Sequence, residues 1–140
     1  MPAPEVRGSS FDGTPMAIAN DGRPKVVLFL AHWCPHCQRE VPLIQAWADS
    51  GAVPEGVDLI SVATSIDPAR PNYPPDAWFQ REGWTVPVMV DPTNSVANAY
   101  GLNAFPYWVF IGPDGTVRAR TVGELPIANL ETVIRALTGG

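Results

Sequence analysis

The chain has 140 residues, a length that suits one domain with a single hydrophobic core. Hydrophobic residues make up 46% of it and charged residues 16%, which excludes an intrinsically disordered chain. The net charge of −5 excludes the basic surface that nucleic acids and anionic membranes bind, so we expect neither as a partner. No apolar run reaches the roughly 18 residues of a membrane-spanning helix.

The start of the chain is rich in proline and small residues. Residues 1–7 lack the apolar segment of a secretory signal, and the following Gly8-Ser9-Ser10 is typical of a flexible linker. We therefore predict an N-terminal tether over residues 1–10 and one folded domain over residues 11–140.

The next residues alternate between strand and helix patterns. Residues 11–19 predict a short strand or hairpin, and the continuous apolar run in residues 25–31 predicts a strand buried on both faces. Apolar side chains then recur at helical spacing over residues 37–49, where Pro42 should kink the helix.

The second half of the chain repeats this alternation and ends in a hairpin and a helix. Together the elements predict an α/β fold with a mixed central sheet flanked by helices on both faces. The predicted strands cover residues 57–63, 86–91, 107–111 and 116–122. The predicted helices cover residues 76–82 and 93–100, and a last helix begins near Pro126. Residues 65–75 are predicted to form a loop.

Two cysteines, the only ones in the chain, lie where the buried strand ends and the helix begins. Free N–H groups at a helix N-terminus favour a thiolate at Cys34. Cys37 follows one helical turn later on the same face, so it can attack a mixed disulfide and release the substrate. This placement predicts Cys34 as the nucleophile and Cys37 as the resolving thiol. Pro35 suits the first helical turn, and Trp33 should cover one side of the pair.

Two other interpretations of the cysteines remain open. A purely structural disulfide would close so short a loop that it would stabilise the fold little. Metal binding would use His32 and His36 with the two cysteines, but a helix points His36 elsewhere, and the chain has no further histidine. We therefore expect no metal site.

Residues 27–37, which read VLFLAHWCPHC, resemble the active-site strand and helix of thioredoxin-like proteins. With residues 91–101 and 105–115, the chain is similar to the extracytoplasmic TlpA, ResA and DsbE branch of that superfamily. The resemblance implies a thiol–disulfide oxidoreductase whose partners are cysteine-containing proteins and an unidentified redox partner protein. It implies no cofactor beyond the redox-active disulfide. It also implies a periplasmic or cell-envelope location, in which case an anchoring segment would lie outside this sequence. The alternative is a cytoplasmic protein.

The resemblance also assigns roles to residues downstream of the cysteines. In this family the proline that matches Pro106 is cis and lies against the cysteine pair. Phe105 would then present its backbone to a bound substrate chain, as an added strand is bound.

The direction of electron flow depends on the residues around the pair. The dipeptide Pro35-His36 is the one seen in strong oxidants of the DsbA type, and a histidine there stabilises the thiolate and makes the disulfide more oxidising. The acid expected of reducing relatives is absent at Leu28 and at Thr64-Ser65. These features favour an oxidant or general exchanger. The alternative is a dedicated reductase of the TlpA or ResA kind, for example in cytochrome c maturation.

Three further functions find less support. A peroxiredoxin needs a threonine where this chain has Ala31, and a copper protein on this fold needs a distant histidine that is missing. A non-enzymatic binding domain would leave the cysteine pair and Pro106 without a role.

Overall fold

Seven strands form one sheet in the computed structural model, which describes residues 1–139. The strands are β1 (Val6–Ser9), β2 (Pro15–Ile18), β3 (Lys25–Leu30), β4 (Asp58–Ala63), β5 (Val88–Val90), β6 (Tyr107–Ile111) and β7 (Val117–Val122). The helices are α1 (Pro35–Asp49), α2 (Pro75–Arg81), α3 (Ser95–Ala99) and α4 (Ile127–Leu137).

The sheet is mixed, as predicted, and its strand order is β2-β1-β5-β4-β3-β6-β7. The three strands β3, β4 and β5 run parallel to one another, whereas β6 is antiparallel to β3 and β7 is antiparallel to β6. This arrangement places β3 inside the sheet, with β4 on one side and β6 on the other.

Every residue of β3 is buried, which confirms the strand predicted from its apolar run. Alternate residues point to opposite faces of a strand, and here they join two separate cores. Leu28 packs with side chains of α1, α2 and α4, whereas Phe29 packs with α3 and with Ile18 of β2. Both faces of the sheet are therefore covered. Burial of each such large side chain stabilises the fold by about 1.5–3 kcal/mol.

The N-terminal residues are part of the sheet, so the predicted tether is wrong for them. β1 pairs with β2 and touches β5, Pro2 forms a bridge with Thr116, and the Ala3 N–H donates to the Gly115 carbonyl at 2.8 Å. Proline and glycine content suggested a linker, but the backbone groups of this segment satisfy their hydrogen bonds at the sheet instead. Of the short strand or hairpin predicted over residues 11–19, the strand forms as β2, and the hairpin that it makes with β1 begins before that segment.

Helix α1 begins at Pro35, directly after the cysteine that serves as its N-cap. A proline fits this first position because its missing N–H would have no partner within the helix. The helix continues past Pro42 to Asp49. The sequence therefore predicted both ends of the helix correctly, with Cys34 at its N-terminus and Asp49 as its last residue.

Asp91 links the end of β5 to α3 through a buried carboxylate that is 1% exposed. Its oxygens accept hydrogen bonds from the Thr64 hydroxyl at 2.9 Å and from the backbone N–H groups of Val96 and Ala97 at 3.0 and 2.9 Å. The carboxylate thus satisfies free N–H groups at the start of α3 and also ties that helix to the end of β4.

We expect Asp91→Ala to lower the free energy of unfolding by about 3 kcal/mol, because three donors lose their charged acceptor in a buried site. Urea denaturation monitored by circular dichroism measures this change. The exposed Glu82 provides a matched control, since Glu82→Ala should change the free energy by no more than about 0.5 kcal/mol. Equal effects of the two substitutions would contradict this description of Asp91.

Candidate active site

The turn between β3 and α1 holds both cysteines. Cys34 has extended backbone angles, φ −83° and ψ 121°, and its N–H donates to the Ala31 carbonyl at 3.1 Å. The Ala31 N–H in turn donates to the Cys37 sulfur at 3.5 Å. The end of the strand and the first turn of the helix are therefore connected through the second thiol.

The two cysteines differ in exposure, and both are free thiols in this structure. Cys34 is 6% exposed, whereas Cys37 is fully buried. Burial raises the pKa of the Cys37 thiol well above its ordinary value, and the neighbouring Cys34 thiol and Glu40 carboxyl raise it further. The Ala31 N–H has the opposite effect, but burial dominates. Cys34 is thus the thiol that solvent and substrates can reach first.

Glu40 is a buried acid of the site that the sequence analysis missed. It lies on α1 one turn after Cys37, is 1% exposed, and accepts a hydrogen bond from the Leu125 N–H at 2.6 Å. Burial raises the pKa of the Glu40 carboxyl, and the charge of Glu124 adds to that shift. The signal was present in the sequence, because Cys37, Glu40 and Ile44 fall on one helical face. Leu28 and Thr64-Ser65 supply no acid, whereas α1 places Glu40 on the same helical face as Cys37.

Two aromatic side chains lie beside the cysteine pair. The Trp33 and Phe105 rings meet edge to face, with centroids 5.8 Å apart, and both pack against the core cluster that includes the cysteines. The Trp33 indole N–H donates to the Ser65 carbonyl at 2.8 Å. The bond between Phe105 and Pro106 is cis, which confirms the expectation from the resemblance.

His36 lies on the surface within a cluster of charged side chains. Its Nδ1 is 2.8 Å from Glu124 Oε2 and 2.8 Å from Arg39 Nη2, and the Arg39 guanidinium also contacts Glu124 at 3.0 Å. The imidazole can donate to the carboxylate when Nδ1 carries a proton and accept from the guanidinium when it does not. His36 and then Arg39 hold the pKa of the Glu124 carboxyl below its ordinary value. The Glu124 carboxylate therefore offsets the positive charge of Arg39, and that of a protonated His36, near the cysteines.

The segment that joins β7 to α4 contacts three parts of the site in succession. The Gly123 N–H donates to the Pro106 carbonyl at 2.7 Å. The next residue, Glu124, binds His36, and the Leu125 N–H donates to Glu40. The proline loop, the residue between the cysteines and the buried acid are therefore held by consecutive residues of one connection.

The four side chains considered for metal binding do not converge. The His36 ring faces Glu124, and the His32 ring binds backbone groups of residues 67 and 71. Among residues 1–139, no three histidine, cysteine or acidic side chains are grouped as a metal site requires.

Comparisons with known proteins agree with this geometry. The Redoxin family model matches residues 1–134. Sporulation thiol-disulfide oxidoreductase A of Bacillus subtilis is 20% identical over 87% of this chain and 73% of its own length. The thiol-disulfide oxidoreductase ResA of Geobacillus thermodenitrificans is 25% identical over 88% of this chain and 68% of its own length. The solution structure of a putative thioredoxin from Neisseria meningitidis superposes with a TM-score of 0.81 at 25% identity, over 99% of this chain and 90% of that one.

Glu40→Gln should stabilise the protein more at pH 8 than at pH 4. Burial raises the pKa of the Glu40 carboxyl, so the wild type is most stable while Glu40 is protonated and loses that stability as the pH rises from about 4.5 through the raised pKa. Glutamine stays neutral over this whole range, so the difference in melting temperature between variant and wild type should grow with pH.

The exposed Glu55 supplies the control, because Glu55→Gln makes the same chemical change away from the site. Its effect on the melting temperature should be small at both pH values. A difference for Glu40→Gln that does not change between pH 4 and pH 8 would contradict the burial of an ionisable carboxyl.

Proposed function

Because the chain belongs to the Redoxin family, as a thiol–disulfide oxidoreductase of the ResA and DsbE type, we propose that Cys34 and Cys37 exchange disulfides with cysteines of other proteins. The observation that carries this proposal is the pair of adjacent thiols with unequal burial at the start of α1. The redox-active disulfide itself would be the only electron carrier, so the reaction needs no bound cofactor.

The exchange proceeds in two displacements, each of which breaks one S–S bond and forms another. The Cys34 thiolate attacks one sulfur of a substrate disulfide, and the other substrate sulfur leaves as a thiolate. Cys37 then loses its proton and attacks the Cys34 sulfur, so a Cys34–Cys37 disulfide forms and the substrate leaves as a dithiol. The substrate has gained two electrons. The reverse sequence oxidises a substrate dithiol.

The second displacement requires the buried Cys37 to be deprotonated. Its raised pKa makes this step unfavourable in the resting protein. Glu40 is a buried carboxyl one helical turn from this thiol, and because burial raises its pKa, it binds a proton more readily than an exposed glutamate does. We assign Glu40 this proton-accepting role.

A substrate chain would bind along Phe105. Within residues 1–139, neither the N–H nor the carbonyl of Phe105 has a backbone hydrogen-bond partner, although β6 begins only two residues later. These free groups can pair with an extended peptide as an added strand. The Trp33 and Phe105 rings, which meet edge to face, would line one side of the groove. A substrate in this groove would have its disulfide next to Cys34.

The direction of the reaction depends on the charges around Cys34. His36 at the N-terminus of α1 favours the thiolate, and for that reason we assign the protein as an oxidant or general exchanger. The alternative of a dedicated reductase is favoured by Glu40, because a carboxylate beside Cys37 destabilises the thiolates of the reduced form. Glu124 acts in the same direction by neutralising positive charge at His36.

We assign the protein to the periplasm or cell envelope, on the basis of its similarity to the TlpA, ResA and DsbE branch. No helix within residues 1–139 is long and apolar enough to cross a bilayer. Its partners would be proteins with exposed cysteine pairs and a second protein that restores the disulfide or the dithiol.

Cys37→Ser should accumulate mixed disulfides through Cys34, because the thiol that resolves them is gone. Cys34→Ser should accumulate few, because Cys37 is fully buried and its raised pKa keeps it protonated. Incubation with a disulfide-bonded peptide, followed by non-reducing electrophoresis and mass spectrometry, measures both yields.

The double variant Cys34→Ser with Cys37→Ser is the control for non-covalent adducts. More trapping through Cys37 than through Cys34 would reverse the assigned roles. An absence of mixed disulfides in every variant would remove the proposed function.

The reduction potential of the Cys34–Cys37 couple tests the direction. We expect a value clearly above the roughly −270 mV of thioredoxin, and a lower value in His36→Pro, because that variant loses the imidazole beside the thiolate. Equilibration with glutathione at pH 7 gives both potentials. A wild-type potential near −270 mV would support the reductase assignment.

A further inference from the structure

His32 occupies a buried position directly before Trp33, and the exchange chemistry described above does not use it. Its side chain is 2% exposed. Nδ1 lies 2.6 Å from the Pro71 carbonyl oxygen, and Nε2 lies 3.1 Å from the Asp67 amide nitrogen. A carbonyl only accepts and an amide N–H only donates, so Nδ1 must carry a proton and Nε2 must not. The two contacts together select one neutral tautomer of His32.

Both contacts of the ring are made to one irregular segment, residues 65–73, here named the active-site wall. Two further contacts join the wall to His32. The Asn72 amide donates to the His32 carbonyl at 3.0 Å, and the Tyr73 ring meets the His32 ring edge to face at 5.9 Å. The wall belongs to no helix or strand, so these contacts help to hold it in place, together with the hydrogen bond from the Ser65 N–H to Asn94.

The wall also contacts the Trp33 side chain at two points. The Ser65 carbonyl accepts the Trp33 indole N–H, and the Arg70 guanidinium lies 4.1 Å from the centre of the indole ring. Trp33 in turn meets Phe105, where the substrate chain would bind. The position of the wall therefore determines the position of one side of the groove next to Cys34.

We propose that His32 is a positioning residue for disulfide exchange, which in its neutral form holds the active-site wall against Trp33. The proposal rests on the proposed function for its consequence, because the groove matters only if Cys34 receives a substrate. A protonated ring would place an Nε2 proton against the Asp67 N–H, and that hydrogen bond would be lost. Acidification should therefore release the wall and weaken substrate binding.

The acidic side chain of the wall already has other partners. Within the wall, the Asp67 carboxylate already accepts the Ala69 N–H at 2.9 Å and pairs with Arg70 at 3.5 Å. Arg70 is a cation, and Tyr73 is the remaining titratable side chain of the wall. On the α1 side, the Gln38 amide donates to the His32 carbonyl, and the titratable side chains of the adjoining turn are Cys34, His36 and Cys37.

The structural part of the proposal is tested on the unmodified protein by NMR. The 15N shifts of His32 should show the neutral tautomer with the proton on Nδ1 at pH 7.5. Exchange of the Asp67 amide with solvent, corrected for its intrinsic pH dependence, should become faster as the pH is lowered to 5. A proton on Nε2 at pH 7.5, or Asp67 protection that does not change down to pH 5, would overturn the proposal.

The functional part uses His32→Gln, whose amide oxygen can accept the Asp67 N–H but does not titrate. For reduction of a fluorogenic peptide closed by one disulfide, the wild-type KM should rise about fivefold between pH 7.5 and pH 5, as expected for the loss of one hydrogen bond. The KM of His32→Gln should stay constant, while kcat should show the same pH profile in both proteins. An equal rise of KM in both would overturn the positioning role.

His36→Gln is the matched control, because His36 is the only other histidine and it is exposed. This variant should keep the pH-dependent exchange of the Asp67 amide. Loss of that dependence would assign the titration to His36 and contradict the proposal. If the wild type exchanges no disulfide at any pH, the proposed function fails, whereas the NMR measurements still decide whether His32 holds the wall.

Discussion

The hydrogen bond from the Ala31 N–H to the Cys37 sulfur connects the end of β3 to the first turn of α1. It forms because β3 is buried on both faces and brings the chain into the core directly before the cysteines. The same burial keeps Cys37 protonated, whereas Cys34, the N-cap of the helix, keeps a small exposed area. The different chemistry of two otherwise identical side chains follows from their depth beneath this turn.

Contacts from three distant segments surround this turn. The residues after β4 bind His32 and Trp33, the loop before β6 brings Phe105 against Trp33, and the connection from β7 to α4 binds His36 and Glu40. In each contact, the distant segment binds a side chain of this turn or of the start of α1. The site is therefore assembled from the ends of the sheet around one short turn of the chain.

The features that the sequence predicted well are local ones. The apolar run of β3 and the helical spacing after Cys37 depend on neighbouring residues, and the family resemblance added the cis bond before Pro106. The features that it missed depend on residues far apart in the chain. The helical spacing places Glu40 on the buried face of α1, but its partner Leu125 lies 85 positions away, and the pairing of the N-terminal residues with residues 115–117 cannot be inferred from composition.

The unequal burial of the two thiols is the central claim, and alkylation of the reduced protein tests it most directly. Brief exposure to iodoacetamide across pH 6 to 9, followed by peptide mass spectrometry, gives the rate of modification at each cysteine. We predict modification of Cys34, and almost none at Cys37 at any of these pH values while the protein remains folded. Modification of Cys37 as fast as that of Cys34 would contradict the account.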